Sequence, residues 1–90
     1  MTKKETNGLV YMAGLQLVRE DFKTNLAFIR NDKRMTQTEL SELSGVNVRM
    51  IQHYEQGVKD INKAQGNTLL KLAQALNCTI EDLLENKKEV

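Results

Sequence analysis

An all-α domain of five helices is what this 90-residue chain predicts, on three observations. Apolar residues recur at three- and four-residue steps, the period of a helix that buries one face. Proline is absent and aromatic residues are only 4% of the chain, a composition that favours helices over sheet. Helix start and stop signals follow one another at intervals that leave connectors of a few residues, as a small globule requires.

Leu15, Val18, Phe22, Leu26 and Ile29 share a helical face. They predict a first helix running from an N-terminal extension (residues 1–21, partly helical) into the domain proper (residues 22–86). Lys3 and Lys4 precede the fairly apolar stretch Gly8 to Val18 in the manner of a signal sequence. Gln16 interrupts that stretch, and Arg19-Glu20-Asp21 follows it with no small-x-small cleavage site, so the helical reading stands.

Thr36-Gln37-Thr38-Glu39 forms a capping box for a second helix, with Leu40 and Leu43 as its buried stripe and Gly45 as its stop. Asn47 is a good N-cap for a third helix that carries Met50, Ile51 and Tyr54 and ends at Gly57. Asn62-Lys63-Ala64-Gln65 supplies a cap signal ahead of Leu69, Leu70, Leu72, Ala73 and Leu76. Thr79-Ile80-Glu81-Asp82 opens a short last helix with Ile80, Leu83 and Leu84, and residues 87–90 form a charged tail.

Composition excludes several classes of function. A single cysteine cannot build a disulfide framework or a cysteine-based zinc site, and it fits a reducing, cytoplasmic location. One His and one Cys offer no metal site, and no glycine-rich phosphate loop is present, so neither metal nor cofactor is expected. Pairing Cys78 with His53 as a catalytic dyad lacks a third orienting group, and the expectation is that the chain is not an enzyme. Cys78 reads as a small buried hydrophobe. Apolar runs are too short for a membrane span. An apolar fraction of 40% at a net charge of +1 argues against disorder.

The segment Gln37 to Gln56 has the spacing of a helix-turn-helix: Ser41 is small where two helices would cross, Gly45 can make the turn, and Leu40, Val46, Ile51 and Tyr54 are apolar where the pair buries itself. Met35-Thr36-Gln37-Thr38-Glu39-Leu40-Ser41-Glu42-Leu43-Ser44-Gly45-Val46-Asn47 and Ile51-Gln52-His53-Tyr54-Glu55-Gln56-Gly57 resemble the Cro/CI-type (Xre) helix-turn-helix regulators. The likeness continues through Thr68 to Leu76 and Ile80 to Leu84, covering roughly residues 23–85. It implies a five-helix, lambda-repressor-like DNA-binding domain with an extended first helix. It further implies a sequence-specific transcriptional repressor of bacterial or phage origin, binding a palindromic operator as a homodimer.

What the resemblance implies for individual residues follows the family's positions. The helix starting near Asn47 would enter the major groove with Val48, Arg49, Gln52 and His53 reading bases. Arg49 can donate bidentately to guanine, Val48 can pack on a thymine methyl, and Gln52 can bond adenine or a neighbouring side chain. Gln37 corresponds to a phosphate-contacting glutamine, with Thr36, Gln56 and Lys59, and more weakly Arg34, as further phosphate contacts. Arg30 and Glu55 match a structural ion pair joining the first and third helices.

Three departures from the family pattern carry expectations of their own. Arg34 stands where a glycine usually ends the first helix, which predicts a different ending there. The connector between Gly57 and Thr68 is about three residues longer than the common form, so Ile61 to Gln65 is expected to add a turn to the fourth helix. Residues 1–21 lie mostly outside the pattern. Between Thr36 and Lys63 three basic residues face four acidic ones, so non-specific affinity for DNA should be weak. A different class of function, an antitoxin or adaptor that binds a protein partner, would use Val10, Leu15 and Leu17 or Ile80 and Leu84 as its adhesive surface.

Overall fold

The computed structural model describes residues 16–86. They form α1 (Asn25–Asp32), α2 (Gln37–Ser44), α3 (Val48–Glu55), α4 (Gly66–Leu76) and α5 (Ile80–Leu83), with single 3-10 turns at Arg19–Asp21 and Ile61–Lys63 and no strand among the described residues. Every element except the first 3-10 turn sends a side chain into one core. Leu26, Leu40, Ile51, Leu72, Leu76 and Leu83 are its largest fully buried members, with Val46, Tyr54, Ile61 and Leu69 around them. Each such aliphatic contributes roughly 2 kcal/mol by leaving water. Helix α2 packs on α3 and α4, while α1 packs on α3 and α5.

The start signals at Thr36, Asn47 and Thr79 act as their sequences predict. Thr36 accepts the Glu39 N–H while Glu39 accepts the Thr36 N–H, and Thr79 and Asp82 repeat the arrangement on α5. Asn47 accepts the Arg49 N–H at 2.7 Å. Hydrogen bonds from the Thr79 backbone and side chain hold the Asp82 carboxyl below its ordinary range.

Helices α1 to α4 each have a left-handed residue just past the last turn, whereas α5 ends on the extended Leu84. Gly45 (φ 78°) closes α2 with a single bond to the Ser41 carbonyl at 2.8 Å. At the end of α1, the Met35 N–H reaches the Arg30 carbonyl at 3.2 Å and the Arg34 N–H that of Asn31 at 2.9 Å, a Schellman pair. Arg34 therefore holds φ 60° itself. The helix does not end differently for want of glycine; two backbone bonds and the packing of Met35 on the core hold the arginine in the strained region. Asn77 (φ 56°) closes α4 in the same way, with Cys78 N–H to Ala73 carbonyl at 2.9 Å.

Four further expectations fail. The face through Val18, Phe22, Leu26 and Ile29 is not one helix, because the backbone is extended at Val18, Phe22 and Thr24. Thr24 caps α1, its hydroxyl accepting the Ala27 N–H at 3.2 Å and donating to the Glu55 carbonyl at 3.1 Å, so the helix must begin there. Phe22 instead sets its ring 5.7 Å from that of Phe28. Leu15, Val10 and the two N-terminal lysines lie outside the described residues. The turn at Ile61–Lys63 does not extend α4, since Ala64 is extended and α4 starts after Gln65, which makes no side-chain cap.

Asn62 is no cap for α4 either: its side chain pairs with both backbone groups of Glu85 at 2.8 Å each. The Glu85 carboxylate in turn accepts the Asn25 N–H at the start of α1 and Arg19 at 3.5 Å, and the Asn25 side chain donates to the Leu84 carbonyl at 2.6 Å. Finally, Leu43 and Leu70 are 65% and 46% exposed rather than part of the core. On the helical wheel Leu43 sits on the flank of Leu40 away from Ser44, where none of the described elements covers it.

The Arg30 guanidinium grips Glu55 with two bonds, Nε to Oε2 at 2.6 Å and Nη2 to Oε1 at 3.0 Å, and its Nη1 donates to the Met35 carbonyl at 2.7 Å. Both side chains are largely buried, at 13% and 6% exposure. Replacing Arg30 with Ala leaves a buried carboxylate short of its cation and should cost about 3 kcal/mol in denaturant unfolding. Arg34→Gly should add about 0.5–1 kcal/mol in the same measurement by relieving the left-handed strain. Gly45→Ala should cost about 1 kcal/mol although a Cβ there meets no atom within 4 Å. Because the Asp82 pKa is depressed in the folded state, its contribution is present above the unfolded value and lost as pH falls through the lower one. Asp82→Asn should flatten that part of the acid-side stability profile, read as the melting temperature between pH 5 and pH 2.

Candidate nucleic-acid interface

Two serines build the turn between α2 and α3. Ser41 donates to the Val46 carbonyl at 2.7 Å, and Ser44 accepts the Val46 N–H at 3.0 Å. Both polar groups of that backbone unit are thereby satisfied by side chains, while the Val46 side chain drops into the core. Ser41 was legible as a small residue at a close crossing; its bond, and the role of Ser44, were not. The signal was the Ser-x-x-Ser-Gly pattern, since short hydroxyls before a turn commonly bond its backbone.

Helix α3 buries Ile51, Tyr54 and Glu55 and leaves the opposite flank outward. Arg49 is exposed, and Val48, Gln52 and His53 are half-buried. Arg49 sits in the first turn, where Asn47 has already taken its backbone N–H, so only its guanidinium remains to find a partner outside. Met50, on the inner side of the same turn, packs against the core. The arginine is therefore projected by a helix whose other face is anchored.

Gln37, the first residue of α2, is joined to this surface by a chain of hydrogen bonds. Its Nε2 donates to Glu55 Oε1 at 2.9 Å, and its Oε1 accepts from Gln52 Nε2 at 3.4 Å. The start of α2 thus lies against the second turn of α3. Thr36, exposed, precedes it as the cap. The positive end of the helix dipole lies at this point, while the Glu39 amide is taken by the Thr36 hydroxyl and the Glu39 carboxylate accepts the Thr36 N–H.

Gln56 and Lys59 lie past the other end of α3 and are exposed. The His53 carbonyl accepts the N–H groups of Val58 and Lys59 at 2.9 and 3.1 Å, which fixes where the lysine leaves the helix. The structure brings Gln37, Gln52, Glu55 and Arg30 into direct contact, sets Arg49 and His53 on the same helix, and places Gln56 directly after Glu55 as the cap of α3, with Lys59 beyond it. Glu55, acidic in the sequence tally, carries no net charge to this surface, since Arg30 neutralises it. Cys78 lies elsewhere, half-buried against the core, and burial pushes its thiol pKa up, with Asp82 adding to the shift and Lys33 opposing it.

Among the described residues no group of three or more His, Cys, Asp or Glu is placed to hold a metal ion, and no helix is long and apolar enough to cross a membrane. No curated protein and no solved structure matches the chain. A family model described as helix-turn-helix matches residues 26–83, which spans α1 to α5 and well over half of the sequence. With its paired α2 and α3, glycine turn and five-helix core, the chain belongs to the Cro/CI-type (Xre) helix-turn-helix family of DNA-binding regulators.

Proposed function

We propose that this chain is a sequence-specific transcriptional repressor whose domain, residues 22–86 with the helix-turn-helix at 37–56, reads double-stranded DNA through the major groove with α3. The observation that carries the reading is the exposed first turn of α3 at Arg49, standing beside the start of α2 through the Gln37–Gln52 contact. That contact supports a reading in which α3 meets base edges while the start of α2 meets the neighbouring phosphate. Arg49 bonds guanine O6 and N7, Val48 packs on a thymine methyl, and Gln52 and His53 read the neighbouring pairs. Thr36 and Gln37 hold one phosphate, while Gln56 and Lys59 hold another farther along the strand.

The few cations near α3 argue that one copy binds weakly, so two copies act together as a homodimer on a palindromic operator with half-sites about one helical turn apart. A second reading, an antitoxin or adaptor that uses a protein partner, is favoured by the exposure of Leu43 and Val58, at 65% and 67%. Ile80 and Leu84, the surfaces first suggested for that role, are packed against the core instead.

Selection of bound duplexes from a random pool tests the proposal, and a symmetric consensus is expected. Arg49→Ala should then relax preference at one base pair of each half-site by about 1–3 kcal/mol and leave the other positions unchanged. A pool that yields no consensus favours the second reading.

A further inference from the structure

Gly57, the residue after the cap of α3, holds φ 77°. A Cβ built on it would stand 3.2 Å from Cε of Lys23 and 4.0 Å from its Cδ. The methylene stem of Lys23 therefore lies across the bare face of the glycine, and its ammonium, one bond farther on, ends beside the last turn of α3. The root of this side chain is fixed. Thr24, the next residue, is buried, caps α1 and donates its hydroxyl to the Glu55 carbonyl at 3.1 Å. A segment ahead of α1 is thus pinned to the end of α3, and Lys23 is the charge it carries there.

A cation at the C-terminal end of a helix offsets the partial negative charge of the last carbonyls. Those carbonyls are already met. Gln52 and Tyr54 accept the N–H groups of Gln56 and Gly57, His53 accepts two more, and Glu55 accepts Thr24. Lys23 is exposed and takes no part in the ion pairs Arg19–Glu85 and Arg30–Glu55. Lys59 follows Gly57 by two residues, so their Cα atoms are no more than about 7.5 Å apart. Asp60, the acidic residue next in line, is engaged as the cap of the 3-10 turn. Two lysines from separate segments are gathered at one end of α3, and an arrangement of like charges is relieved by an anion.

We infer that Lys23, laid across Gly57, is a further contact to the DNA backbone phosphate assigned to Gln56 and Lys59, delivered from outside the helix-turn-helix. The inference rests on the DNA-reading proposal above and adds to it a residue ahead of α1. The tally of three basic against four acidic residues between Thr36 and Lys63 omits this lysine, which only the folded chain brings to that surface. A phosphate is the ligand it suits. An ammonium on a flexible stem is a point charge without a fork, so it adds affinity and no preference among bases.

The test measures binding of the full chain over a range of salt concentrations, on the consensus duplex from the pool selection and on a random-sequence duplex of equal length. Lys23→Met keeps a stem over Gly57 and removes the charge. Lys71→Met removes one charge from the exposed side of α4 and serves as the comparison. Lys23→Met should weaken binding severalfold, by the same factor on both duplexes. Its slope of log affinity against log salt should be shallower by about 0.9 for each bound copy, and Lys23→Arg should restore it. Lys71→Met should leave the slope unchanged.

A Lys23→Met variant with the wild-type slope overturns the contact, and a lower melting temperature beside it assigns the lysine to the end of α3 alone. An equal change of slope in Lys71→Met also overturns it, because net charge then accounts for the effect. A loss confined to the consensus duplex overturns the phosphate role. A wild type that binds neither duplex overturns the DNA-reading proposal, and this inference with it.

Discussion

A carboxylate taken out of water has to be met on every side, and in this chain Glu55 is that group. Arg30 from α1 gives it two bonds, Gln37 from α2 gives it a third, and the backbone carbonyl of the same residue accepts the Thr24 hydroxyl. Three helices are thereby registered at one point near the end of α3. Apolar packing between the same helices would tolerate sliding by a fraction of an ångström, because dispersion contacts are non-directional. Bidentate guanidinium geometry does not. The buried charge is thus better understood as fixing the angle at which α2 and α3 meet than as a large net source of stability.

That distinction bears on function. A reading helix has to present side chains to base edges with sub-ångström accuracy, and the surface of α3 is held from behind by Ile51, Tyr54 and Glu55. The two serines of the turn add a second restraint at the other end of the helix. The residues proposed to read bases stand on a rigid element between two polar fixtures, with the apolar core beneath them.

Much of this was legible in the sequence because capping chemistry is local. Thr36 with Glu39, Asn47, and Thr79 with Asp82 each need only neighbours within three residues, and all three formed as read. The ion pair between Arg30 and Glu55 was also found, through the family's positions. What failed depended on distant chain. Leu43 has the spacing of a buried residue, but periodicity gives a direction and says nothing of whether another element covers it. The long first helix failed because Thr24 serves both its own helix and the Glu55 carbonyl thirty-one residues on. Asn62, a good cap by type, was drawn to Glu85 by backbone groups that no local pattern reveals. In the candidate interface the residue types were readable. The hydrogen-bond order from Glu55 through Gln37 to Gln52 was not, since it joins three segments.

The clasp at Glu85 has a consequence for the way the domain is threaded into its surroundings. Arg19, Asn25, Asn62 and Glu85 bring the incoming and outgoing strands of the described chain to one corner, with Arg19 and Glu85 3.5 Å apart. A partner joined just before Arg19 or just after Glu85 would emerge from the same place, and a host protein could carry this unit as an insert in a surface loop without spreading that loop. Tension applied at Arg19 and Glu85 would load this knot of hydrogen bonds before it reached the helices, so the corner would act as a mechanical fuse ahead of the core.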